Sequence, residues 1–153
     1  MQDLFTKYQV PVVFSGHSDI QHTKQINQTT EIVTSALSIA PVQYGQVTLT
    51  NDTLHYKTKE VEAIVNDETF FKLTSYNKSI DAFKESFDES TAEQLAQYFA
   101  EVNLSYFSGN TYQNVEEYRK NQLLENSSDF HKVYLDCILS ENINHQEITV
   151  EMK

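Results

Sequence analysis

The chain has 153 residues, 39% of them hydrophobic, enough for one ordinary core or two small ones. Three Gly and two Pro leave too little punctuation for a many-stranded barrel, and a formal charge of −11 opposes binding to nucleic acid and to anionic membranes. The single cysteine, Cys137, excludes an internal disulfide and a cysteine zinc cluster, and its apolar surroundings predict a buried thiol.

In chain order, residues 1–8 read as a short helix with Leu4 and Phe5 inward. Residues 9–14 are apolar and β-branched, which predicts a buried strand ending at Ser15-Gly16. The polar stretch from His17 to Thr30 reads as a loop. Residues 31–37 begin as a strand. Residues 44–49 alternate, with Val47 and Leu49 on one face. Asn51-Asp52 is a turn signal, and residues 54–58 form the return arm of a hairpin that residues 61–65 extend.

The grammar then changes. Asn66 or Asp67 can cap a helix whose apolar positions are Phe70, Leu73, Tyr76, Ile80, Phe83 and Phe87. Ser90-Thr91-Ala92-Glu93 reads as a capping box opening a helix with the stripe Leu95, Tyr98, Phe99, Val102 and Tyr106. Gly109 occupies a left-handed terminator position. A third helix is expected over residues 114–124, and a fourth starting at Ser127 or Ser128. The tail, residues 147–152, alternates like an edge strand. The expected class is α+β: strands with a hairpin, about four helices, then a short terminal strand. The expected division is residues 1–66 and 67–153. Acidic residues concentrate in the second part, with six acidic and four basic side chains before residue 66 and sixteen and seven from there on.

One window carries chemistry. In Val12-Val13-Phe14-Ser15-Gly16-His17-Ser18-Asp19, an apolar strand ends in Gly, which permits positive φ, and is followed by two metal-ligand types two residues apart. A strand's carboxyl end is where α/β proteins gather reactive groups. His22 is read as a solvated loop residue or an accessory ligand, His55 as the polar face of a strand, and His131 and His145 as surface and loop residues. The pairs Asp88-Glu89 and Glu116-Glu117 suit the positive ends of helices.

The strand-Gly-His-x-Asp window resembles the last metal-binding block, Gly-His-x-His, of the calcineurin-like metallophosphoesterases. Asp19 stands where the family has its second His. Residues 31–45 are similar to the segment that follows this block in a bacterial branch described as cyclic-nucleotide phosphodiesterase-like. Asn103-Leu104-Ser105-Tyr106-Phe107-Ser108-Gly109 looks like part of the helical C-terminal domain of that branch. The resemblance implies residues 1–66 as the end of the phosphoesterase β-sandwich domain and residues 67–153 as the appended helical domain. It implies metal ligation by His17 and Asp19, and a pair of divalent metals of Mn, Fe or Zn type that polarise a phosphoester and activate a bridging hydroxide.

The family's upstream Asp-x-His, Gly-Asp-x-x-Asp and Gly-Asn-His-Asp/Glu blocks do not occur in the chain. The expectation is therefore a C-terminal segment of a phosphodiesterase that neither retains the metals nor turns over substrate alone. The alternatives are a subunit completed in trans by an N-terminal phosphoesterase half, or a non-catalytic interaction module with an acidic helical face. Self-association through an exposed sheet edge is a further expectation, and neither nucleic acid nor membrane is an expected partner. Met1-Gln2-Asp3-Leu4 has no basic segment leading into an apolar one, so no signal peptide is expected and a cytoplasmic location is the default, although the family is often exported.

Overall fold

The computed structural model describes residues 2–61, 68–110, 112, 116–126, 129–140 and 145–152. The fold is α+β, and it divides into two compact units. The first gathers Met1–Asn66, Phe107–Asn110 and Asn144–Lys153; the second holds Asp67–Tyr106 and Thr111–Ile143.

The first unit opens with α1 (Gln2–Lys7), followed by β1 (Val12–Ser15), β2 (His22–Ile26), β3 (Thr29–Val33), β4 (Gln43–Thr50) and β5 (Thr53–Glu60); β6 (Glu147–Glu151) returns to it from the far end. Two three-stranded sheets result, in the orders β1-β3-β2 and β4-β5-β6. In the first sheet β3 lies parallel to β1 and antiparallel to β2. Residues 17–30 are thus not all loop: β2 pairs Thr23 with Ile32 and buries Thr23. Its sequence His-Thr-Lys-Gln-Ile offers one apolar side chain, so its alternation could not register as a strand pattern.

The hairpin β4–β5 turns at Asn51-Asp52 as expected, with Asn51 at φ 50°. The two sheets share a core of Ile32, Leu54 and Tyr56, flanked by Val12, Ile148 and Met152. Gly45 is required there. A Cβ on it would stand 2.4 Å from Cε2 of Tyr56, whose ring is 1% exposed. That ring cannot swing aside cheaply, because its hydroxyl lies 2.9 Å from Oγ1 of Thr34 and donates to Oε1 of Gln21 at 3.1 Å. On α1, Leu4 faces solvent and only Phe5 is half-buried, contrary to the expectation that both turn inward.

The second unit is helical: α2 (Glu68–Lys84), α3 (Glu89–Ser108, its last two residues counted with the first unit), α4 (Glu117–Asn126) and α5 (Asp129–Ser140). Leu95, Tyr98 and Val102 of α3 meet Leu123 of α4 and Leu135 and Ile138 of α5 in one core, with Phe83, Phe87, Phe99 and Tyr106 packed against it. The α3 stripe is the one its spacing predicts.

The cap of α3 is not Ser90. Asp88 accepts from the backbone N–H of Thr91 at 3.1 Å and from its hydroxyl at 2.7 Å, so the helix starts at Glu89. A carboxylate answering two donors outcompetes a Ser hydroxyl for that position. The bonds from Thr91, the hydroxyl first, hold the Asp88 carboxyl below the usual carboxylate range. Two other expectations fail. Cys137 is exposed, because α5 turns Leu135 and Ile138 inward instead, and Leu73 of α2 is exposed. The proposed caps at Asn66 and Asp67, the hairpin extension beyond Val61, the helix starts at residues 114 and 127–128, and the side chain of His131 lie outside the described residues.

Tyr112 donates to Oε2 of Glu101 at 3.1 Å, and its ring meets Tyr98 edge-on at 5.6 Å. Burial first, and then the bond to Glu101, push the Tyr112 phenol well above its ordinary range; burial pushes Tyr98 the same way.

Both phenols are raised in the folded state, so the stability tied to their protonated forms is complete below the unfolded value of about 10 and declines as pH rises above it. Urea unfolding followed by circular dichroism is expected to show lower stability at pH ~11 than at pH ~9, with a smaller loss in Tyr112→Phe. In the first unit, Gly45→Ala is expected to cost about 1–3 kcal/mol through the forced shift of Tyr56, read from the same unfolding curves.

Candidate functional site

The window singled out in the sequence sits where β1 ends. Ser15 closes the strand, its hydroxyl donating to Oε1 of Glu31 on the neighbouring β3 at 2.7 Å. Gly16, His17, Ser18 and Asp19 follow, all exposed. The expected positive φ at Gly16 is not there. It falls instead on the two ligand-type residues, His17 at φ 81° and Asp19 at φ 58°. Positive φ is uncommon for residues with a Cβ, although His and Asp are among the types that tolerate it best. Gly16 has open space around its Cβ direction, so no steric crowding explains its identity.

Two residues past Asp19 the chain is anchored by a buried polar cluster. Gln21, 1% exposed, donates its backbone N–H to the Phe107 carbonyl at 2.9 Å and its side-chain amide to the His145 carbonyl at 2.9 Å. Its Oε1 accepts from Tyr56 and, at 3.4 Å, from the N–H of Ser35. Gln43, equally buried, donates to Oγ of Ser35 at 3.0 Å and to the Ser108 carbonyl at 3.2 Å. Gln146 donates to the same Ser108 carbonyl and accepts from the Thr58 hydroxyl. Gly109, at φ +76°, passes so close that a Cβ would lie 2.4 Å from Cγ of Gln21.

His145 lies in the turn before β6, the loop position expected of it, but it is buried, at 5% exposure. The backbone N–H of Thr23 points at its Nδ1 at 3.0 Å, and the Thr23 hydroxyl lies 3.1 Å from the same atom. A backbone N–H can only donate, so Nδ1 is the acceptor and the ring proton belongs on Nε2. The His22 ring lies 4.3 Å from that of His145, tilted by 32°. His22 is therefore a half-buried strand residue. His55, as expected, is on the exposed face of β5, with Nδ1 3.0 Å from Oγ1 of Thr149. No local signal marks the burial of His145: the partners of its ring are more than a hundred positions away, and only the alternation of residues 147–152 hints that the tail returns to a sheet.

A cavity of about 170 Å³ lies on the α1 side of the first sheet, between Phe5, Val13, Ile26, Thr29 and Glu31. Its one carboxylate, Glu31, is engaged by Ser15, and neither His17 nor Asp19 lines it. Among the described residues no three or more His, Cys, Asp or Glu side chains gather to hold a metal ion. None of the helices among them is long and apolar enough to cross a membrane.

No family model matches the chain, and no curated protein matches it.

The strained loop yields a direct expectation. Asp19→Gly relieves the left-handed backbone of its Cβ and is expected to raise stability by about 0.5–1 kcal/mol, after the entropic cost of Gly is deducted. A urea midpoint unchanged or lowered in this variant would remove the case for strain at residue 19.

Proposed function

We propose that the chain is the C-terminal part of a calcineurin-like metallophosphoesterase, in which His17 and Asp19 form one corner of a two-metal centre. The observation that carries this reading is the backbone at the end of β1: both ligand-type residues, and no others in that loop, are held at positive φ. Such strain costs on the order of 1–3 kcal/mol per residue and collects where function demands a fixed geometry. Together with the Gly-His-x-Asp spacing and the likeness of residues 31–45 and 103–109 to that family, it favours an inherited ligand loop over an ordinary surface turn.

In this reading a divalent metal pair polarises a phosphodiester and supplies the hydroxide for in-line attack. His17 offers an imidazole nitrogen and Asp19 a carboxylate oxygen, both donor types suited to Mn, Fe or Zn. Two such ligands cannot hold two ions alone, so the remaining ligands come from sequence that this chain does not contain. Residues 67–153 take the part of the appended helical domain.

A specific observation favours completion in trans as the second reading. β1 is an edge of its sheet, and Phe14 on it is 52% exposed although its ring approaches Tyr56 to 6.5 Å. A further strand beside β1 would cover it, as the continuation of a larger sheet does.

The experiment pairs the chain with a polypeptide carrying the Asp-x-His, Gly-Asp-x-x-Asp and Gly-Asn-His-Asp blocks, fused or co-expressed. The chain alone is expected to show no hydrolysis of bis(p-nitrophenyl) phosphate with Mn²⁺. The assembled pair is expected to hydrolyse it, with a loss of about 100-fold or more in His17→Ala. Turnover by the chain alone would sink the dependence on missing ligands. An active pair indifferent to His17 would remove that residue from the site.

A further inference from the structure

We propose that the outer edge of β4 is a self-association surface, at which two copies of the chain pair strand to strand around a twofold axis centred on Val47. This inference stands apart from the phosphoesterase reading, because it concerns the opposite sheet and uses none of the ligand loop.

β4 ends the order β4-β5-β6, and no described strand pairs with its outer side. The hydrogen-bonding phase of that side follows from the register. The N–H of Val61 donates to the Val42 carbonyl at 2.8 Å, and the ladder continues from Gln43 opposite Glu60 to Thr50 opposite Thr53. Antiparallel ladders exchange bonds at every second pair. Tyr44, Gln46, Thr48 and Thr50 therefore bond inward to β5, while Gly45, Val47 and Leu49 direct their N–H and C=O groups away from it.

The same three residues share a face. Val47 stands opposite Tyr56 and Leu49 opposite Leu54, both core residues, yet Val47 is 47% and Leu49 65% exposed. The apolar face of this sheet thus continues past its covered part, onto a strand whose outward backbone groups are open.

Proteins normally blunt such an edge with a charge, a proline, a bulge or short length. The other edges here follow that practice. β2 carries Lys24, β6 carries Glu147 and Glu151, and β1 is four residues long. β4 has eight residues, Gln-Tyr-Gly-Gln-Val-Thr-Leu-Thr, with no charged residue, no proline and a continuous register.

The occupant argued for is a second copy. With a net charge of −11, copies repel one another over most of their surface, and a charge-free strand is where they can meet without like charges opposed. The strand is also self-complementary. Antiparallel pairing centred on Val47 sets each Val47 against its counterpart and each Leu49 beside the partner's Gly45. The ring of Tyr56 fills the space over Gly45, so the partner's Leu49 meets an apolar ring face there rather than a side chain of Gly45. Every outward N–H of the three residues then meets an outward carbonyl, as a closed twofold contact requires.

Sedimentation equilibrium of the full chain from about 5 to about 500 μM reads the proposal directly. The mass is expected to rise from 17.7 kDa towards twice that value, and to do so at lower protein concentration when added salt screens the repulsion. Val47→Lys and Leu49→Lys each place a charge against the partner strand, and each is expected to raise the dissociation constant at least about tenfold with an unchanged circular dichroism spectrum. Either variant serves if the other fails to fold. Amide exchange gives the register: Gly45, Val47 and Leu49 should gain protection with concentration, while Tyr44, Gln46 and Thr48 are protected throughout. A monomer across the whole range, including one whose edge accepts only a foreign strand, overturns the proposal. So does a dimer that both lysine variants leave intact.

Discussion

Gln21 stands where four segments of the first unit converge, and its hydrogen bonds set the geometry around it. With its backbone N–H this one residue ties the end of α3 at Phe107, and with its side-chain amide the connection at Ser35, the β5 ring of Tyr56 and the returning tail at His145. Each of these is a polar group shut away from water, and each would cost about 1–3 kcal/mol if left without a partner. Gln43 and Gln146 repeat the arrangement one step outward, at the Ser108 carbonyl. Carbonyls in the last turn of a helix lack intrahelical donors, so side-chain amides there satisfy groups the helix cannot. An apolar contact tolerates sliding. A cluster of directed bonds admits one register, and this one fixes the base from which the loop of residues 16–20 springs.

That base gives the loop its meaning. His17 and Asp19 are exposed, and they lie between the exposed end of β1 and the buried Gln21. Two side chains at positive φ are affordable only where neighbouring structure outweighs the local cost. What the loop lacks is company: among the described residues no third ligand type closes with the pair into a metal-holding group. A metal centre that includes His17 and Asp19, as proposed above, therefore needs its further ligands from outside the described residues.

The parts of the fold that could be read in the sequence are those written in local periodicity. The α3 stripe, the Asn51-Asp52 turn, the edge character of residues 147–151 and the left-handed Gly109 all follow from spacing or from a backbone need. The parts that could not be read depend on partners distant in the chain. β2 is too polar to announce itself and exists because β3 lies beside it. His145 is a turn residue whose burial could not be read, because the donor to its ring is Thr23, 122 positions away. The loop of residues 16–20 falls between these cases. Its spacing was visible, but the placing of positive φ on His17 and Asp19 rather than on Gly16 belongs to the tertiary structure.

The return of β6 to β5 also imposes an order in time. The helices of the second unit close mostly over short stretches of chain and can form as soon as they emerge from a ribosome. β5 must wait. Its second neighbour, and the His145 carbonyl that completes Gln21, lie about ninety or more residues downstream. Closing so long a loop is slow because its entropy is lost before any contact repays it. During synthesis the first unit is therefore an open sheet holding a place for its last strand, while the segment that will deliver that strand is already folded.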